Sequence, residues 1–236
     1  MKKLNLSLLM MLFCITIGVS QKTILQSTNA LPIDEKRYAD VQGSAFYFKE
    51  NVKATLTAQN GDEVKDVLLN LNGLTKDVEV YLSMENKMLI LDERDWARIE
   101  ILAKDNEGKM PKGSADKIVL RTGVHNRFRD KFAIVLFEGK NFILAKEYRK
   151  VKTEHEIHDV GKTIDVKKFQ VQKKYLIITG DRSTEIKPKK KKSLLKSLDQ
   201  PKKIEKFIKS EKLKTSNEKD LVKLMNYYDE LLTVND

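Results

Sequence analysis

Cysteine is almost absent from this chain. Cys14 is the single one among 236 residues, and it lies in an apolar leader, so a chain without that leader has none. Thiolate metal sites and cysteine-nucleophile chemistry are excluded on that count, and a domain without disulfides must be held by its core. The sequence also has no His-Glu-x-x-His motif, no Gly-rich phosphate loop, no serine in a Gly-x-Ser-x-Gly setting and no repeat of fixed length. No strongly hydrophobic run follows Val19. No catalytic constellation stands out, and no cofactor is expected.

The N-terminus has a clear pattern. Met1-Lys2-Lys3 is a short basic start, Leu4 to Val19 is largely apolar, and Gly18-Val19-Ser20 brings small residues. This predicts a secretory signal peptide over residues 1–20 and a mature chain from Gln21. A spanning helix needs about 20 apolar residues, and this stretch is shorter and interrupted by Asn5 and Ser7. Lipidation at Cys14 would require a small residue before it, where Phe13 stands.

The formal net charge is +11. It is concentrated in residues 187–214, where twelve lysines face only Asp199, Glu205 and Glu211. Local charge of this kind suits a solvated linker or an anionic surface partner. The reading preferred for Lys187, Lys189, Lys190, Lys191 and Lys192 is a tether kept extended by self-repulsion. The alternative is a site for phosphates of lipid or lipopolysaccharide.

The hydrophobic pattern predicts a mainly β fold: an antiparallel meander or partly closed barrel with a C-terminal appendage of two to three helices. Residues 21–44 read as an extended lead-in, 45–186 as the β domain, and 187–236 as a Lys-rich linker with amphipathic helices. Val52, Ala54, Leu56 and Ala58 alternate with polar or small neighbours, as do Val67, Leu69 and Leu71, then Val78, Val80, Leu82 and Met84. Asn60-Gly61, Asn72-Gly73 and Glu85-Asn86 are the expected turns. Arg98–Leu102 and Lys117–Arg121 read as further strands, with 104–114 as a loop. Phe132–Phe137 is apolar throughout and predicts a central strand covered on both faces. Gly139-Lys140 suits a type II′ hairpin into Asn141–Tyr148. Residues 149–163 read as polar and irregular, and Val171–Thr179 as the last strand. Beyond Pro188, Leu194, Leu195 and Leu198, then Ile204, Phe207 and Ile208, take helical spacing, with Asp199 as a cap and Pro201 in a first turn. A last helix from about Glu218 carries Leu221, Leu224, Met225 and Tyr228 on one face, capped by Ser216 or Asn217.

Three landmarks occur in a familiar order: Tyr38-Ala39-Asp40-Val41-Gln42-Gly43-Ser44, then Val135 to Lys140 with Leu144-Ala145-Lys146-Glu147-Tyr148, then Lys190 to Leu195 with Asp220 to Leu224. In these the chain resembles the uncharacterised exported proteins of Bacteroidota-type bacteria. The resemblance implies a periplasmic or outer-envelope address and brings no activity and no functional residues.

Candidate sites are few. His155 and His158, among Glu154, Glu156 and Asp159, could ligate a metal if a helical turn put both on one face; a strand would not. The plain alternative is a charged surface loop. Asp92, Glu93 and Asp95 beside Trp96, the sole tryptophan, could serve a saccharide groove or simply form a polar turn with Trp96 anchoring the core edge. Arg121 to Arg129, with His125 and Phe128, mixes cations and an aromatic, yet an exported protein seldom meets nucleic acid, and none is expected. The expected function is therefore a non-enzymatic exported envelope protein, a binding or structural module for a partner protein or envelope polymer. The alternatives are a basic-tail binder in weak contact with anionic membrane surfaces, and a hydrolase whose site is unrecognised.

Overall fold

The computed structural model describes residues 33–34, 36–83, 86–128, 131–159 and 162–233. The leader at 1–20 and the start of the lead-in lie outside the described residues. The strands are β1 (Val41–Gln42), β2 (Val52–Ala58), β3 (Glu63–Leu71), β4 (Val78–Leu82), β5 (Lys87–Ile90), β6 (Trp96–Leu102), β7 (Lys117–Arg121), β8 (Ala133–Glu138), β9 (Ile143–Asp159), β10 (Lys162–Thr179) and β11 (Arg182–Ile186). The helices are α1 (Lys191–Lys196), α2 (Pro201–Ser210) and α3 (Glu218–Thr233). All strands join one mixed sheet, which is not closed, in the order β1-β10-β9-β8-β7-β6-β2-β3-β4-β5, with β11 beside β10. Every pairing between named strands is antiparallel except β1 with β10.

Alternation places the core. In β2, Val52, Ala54 and Leu56 are buried while Lys53 is exposed. A bulge in β3, with Asp66 at φ 57°, shifts the register so that Val64 and Val67 both point inward against Leu56 and Ala54. β8 is buried on both faces, as its unbroken apolar run demands: Ile134 and Leu136 join the main core, Ala133 and Val135 a smaller one beneath the 3-10 turn at Asn126–Phe128. The main core continues from the sheet into the helices through Leu194, Leu198, Ile204, Ile208, Leu221, Leu224, Met225 and Tyr228. Burying a side chain of this size is worth about 1.5–3 kcal/mol, so the helices form a layer of the same body.

The link expected at 187–192 is short and turned: residues 187–190 join β11 to α1. Pro188 is buried, Lys190 N donates to Lys187 O at 2.9 Å, and Lys191 already opens α1. Mutual repulsion of the lysines is outweighed by apolar burial on either side of them. The polar stretch 149–163 is likewise ordered: β9 and β10 pair in register from Ile143↔Ile178 to Asp159↔Lys162. A two-stranded ribbon largely exposed on both faces has no hydrophobic periodicity to reveal it. β11 escaped the sequence reading for the same reason. The lead-in is not simply extended either, since residues 36–40 form a turn before β1.

Two glycines serve close approach. Gly139 does not take the left-handed φ of a type II′ turn; a Cβ there would lie 2.5 Å from the Asp229 carboxylate. At Gly73 a Cβ would lie 2.7 Å from the Tyr148 ring. Gly73 belongs to a longer turn than its Asn-Gly pair suggested, closed by Asn72 N to Asp77 O at 2.9 Å with Lys76 at φ 68°. Gly73 O also accepts Lys150 N at 2.7 Å, which ties the β3–β4 turn to β9 across the curl of the sheet. The Glu85 half of the Glu85-Asn86 turn lies outside the described residues.

Candidate functional site

The helical layer presents the most distinctive surface. Ile204 and Ile208 turn α2 inward, and Pro201 starts it. Gln200, left-handed at φ 54°, stands at its N-terminus without a side-chain cap. Asp199 does not cap it; the Asp199 carboxylate accepts Tyr228 OH at 3.2 Å instead. Asn217 does cap α3, its side-chain oxygen accepting Lys219 N at 2.9 Å.

Fixing the apolar side of α1 and α2 inward leaves the lysines outward. Lys187, Lys189, Lys190, Lys192, Lys196, Lys202, Lys203, Lys206, Lys212 and Lys214 are exposed and make no ion pair among the described residues. Only Lys191 and Lys209 find a partner in this segment, sharing Glu205 Oε1 at 3.2 Å each. Several cations of the body, by comparison, are matched. Arg94 meets Asp92, Arg98 and Lys117 meet Glu100, Arg121 meets Glu138, Arg127 meets Glu147, and Lys131 bridges Asp77 and Glu93. Val171 is the one exposed large hydrophobic residue among the described residues, and it lies on β10, so the lysine face has no apolar anchor.

Those body pairs also dispose of other sequence candidates. The side-chain and backbone hydrogen bonds of Arg94 hold the Asp92 carboxyl down at about 2, and Glu93 is bound by Lys131, so neither is a free acid or base. Trp96 is 1 % exposed and offers no platform to a groove. In the Arg121–Arg129 stretch, Arg121 and Arg127 are neutralised and His125 Nε2 bonds Asp181 O at 3.0 Å; Arg129 lies outside the described residues. His155 stands on β9, exposed, opposite Val166. His158 is three positions along the same strand, its side chain outside the described residues, so the helical turn that a metal pair required is not formed. Among the described residues no group of three His, Asp or Glu could hold a metal ion.

One charged cluster was not legible at all. Lys146 of β9 and Tyr175 of β10 are cross-strand partners, and both reach Glu218, the first residue of α3. Glu218 Oε1 accepts Lys146 Nζ at 2.7 Å and Tyr175 OH at 2.8 Å, and Lys146 also donates to the Tyr47 hydroxyl. Burial lowers the Lys146 ammonium to about 8 despite its pairing with Glu218, and burial raises both Tyr47 and Tyr175. Lys146 is only 2 % exposed, so this cluster fastens α3 to the sheet from within the core.

No helix among the described residues is long and apolar enough to cross a membrane. No family model, curated protein or solved structure matches the chain.

Proposed function

We propose that this protein is a non-enzymatic, exported envelope module that uses the lysine face of its helical layer to engage anionic, phosphate-bearing surfaces. The observation that carries this reading is the density of unpaired charge: ten exposed lysines of residues 187–214 stand without a carboxylate partner, in a segment that holds only Asp199, Glu205 and Glu211. The leader supports export, and mature protein is expected to begin at Gln21 outside the cytoplasm. N-terminal sequencing of the secreted material checks this; an intact Met1 in a cytoplasmic fraction would sink it.

Each lysine near an anionic membrane contributes about 1 kcal/mol. With no apolar anchor, attachment is peripheral and fades as salt shortens the Debye length to about 10 Å at 0.1 M. Co-sedimentation with phosphatidylglycerol and phosphatidylcholine vesicles tests the reading. Native protein is expected to sediment with the anionic vesicles alone, at low salt. Replacing Lys187, Lys189, Lys190 and Lys192 by Gln should weaken binding at least about tenfold and leave the melting transition in place, because exposed charges contribute little to folding. Equal sedimentation of native and variant protein overturns the proposal.

A further inference from the structure

A cleft of about 410 Å³ lies between the β4–β5 hairpin and the N-terminal segment, away from the lysine face. Its volume falls within the range of roughly 300–1,000 Å³ common for ligand pockets. The floor is a fixed polar network. Glu79, 2 % exposed, projects from β4, and its Oε1 accepts the Arg37 guanidinium and Asn72 Nδ2, the latter at 2.8 Å. Asn72 Nδ2 also donates to Tyr38 OH at 3.0 Å. Arg37 sits 4.9 Å from the centroid of the Tyr38 ring.

The walls are aromatic and amide. Tyr38, Phe46 and Tyr81 line the cleft, each only partly buried. Asn86 Oδ1 accepts Tyr81 OH at 2.8 Å, which leaves the Asn86 amide N–H groups without a partner among the described residues. Asn51 lines the cleft with its whole side-chain amide unpaired among the described residues.

We infer that this cleft binds a neutral, polyhydroxylated ligand: a short oligosaccharide without charged groups. Charge decides against the other classes. Arg37 and Glu79 neutralise each other, so the site offers little net attraction to an anion or to a cation. The exposed parts of the Phe46 and Tyr81 rings provide apolar surface for the C–H face of a sugar ring, while the Asn51 and Asn86 amides supply hydrogen-bonding groups for hydroxyls. The Tyr81–Asn86 hydrogen bond fixes one wall and the Glu79 network fixes Tyr38 before the ligand arrives, which lowers the ordering cost of binding.

Isothermal titration of the full-length protein with maltotetraose, cellotetraose, chitotetraose and mannotetraose tests the inference. At least one is expected to bind with a Kd on the order of 0.1–1 mM. Tyr81→Ala and Asn51→Leu should each weaken that binding by about fivefold or more. Both positions are partly exposed and outside the main core, and an unchanged thermal transition in each variant confirms the fold. The Lys187, Lys189, Lys190 and Lys192 to Gln variant should bind the sugar unchanged, which separates this site from the lysine face. Absence of binding by all four sugars at 5 mM (about ten times the middle of that range), or binding untouched by both cleft variants, overturns the inference. Preference for a phosphorylated sugar over its neutral parent overturns it as well.

Discussion

Glu218→Ala is expected to destabilise the protein by about 3–5 kcal/mol, because it leaves a lysine buried without its counter-ion. Lys146→Met should cost a similar amount by stranding the Glu218 carboxylate, of which Oε2 already lacks a partner. The double variant Lys146→Met/Glu218→Leu should recover most of the loss, since a buried pair exchanged for apolar groups is often neutral. Urea unfolding of the three variants reads this directly, and a Glu218→Ala protein within about 1 kcal/mol of native would refute it. The pH dependence has a definite sign. Lys146 lies near 8 in the fold against 10.5 unfolded. Between those values the unfolded chain holds a proton that the folded one lacks, so this group makes stability climb with pH over that window and level off below it. Tyr47 and Tyr175, raised by burial, act oppositely: above their ordinary value of 10 the unfolded chain ionises first and stability falls. Urea titrations at several pH values between 8 and 10 should show the climb in native protein and its absence in Lys146→Met.

Asp229→Ala is expected to cost about 2–4 kcal/mol. The Asp229 carboxylate accepts Lys140 N at 2.8 Å and Asn141 N at 2.9 Å, and so closes the β8–β9 turn from the last helix. Gly139→Ala should cost about 1–3 kcal/mol by forcing a methyl into that carboxylate. The two are expected to be non-additive: in Gly139→Ala/Asp229→Ala the methyl has room, and the sum of the single losses is not reached. Thermal melts of the three variants decide it. Full additivity would show that the carboxylate is not what opposes the methyl.

The strands were legible where one or both faces are apolar. β2, β4, β7 and β8 follow their alternating or unbroken hydrophobic pattern, and α3 follows its stripe of Leu221, Leu224, Met225 and Tyr228. Legibility ended where backbone pairing proceeds without a buried face, as in the outer ribbon of β9 and β10, because period two in polar residues leaves no trace. It also ended at long range. Nothing local connects Lys146 to Glu218, or Gly139 to Asp229; each pair belongs to elements that packing alone brings together. Of the site features, the lysine run was visible as composition, but its outward face depends on Ile204 and Ile208 docking. The cleft at Glu79 had no sequence signal, since its residues come from four separate stretches.

Helix α3 carries both fastenings of the sheet, through Glu218 at its start and Asp229 further along, and the latter reaches a turn 88 residues upstream. The parallel pairing of Val41 with Lys167 spans the chain in the same way. A polypeptide emerging N-terminus first therefore cannot complete its body until its final helix has been delivered. Contacts so distant in sequence slow folding, and they keep the partly synthesised chain open for as long as its last segment is missing.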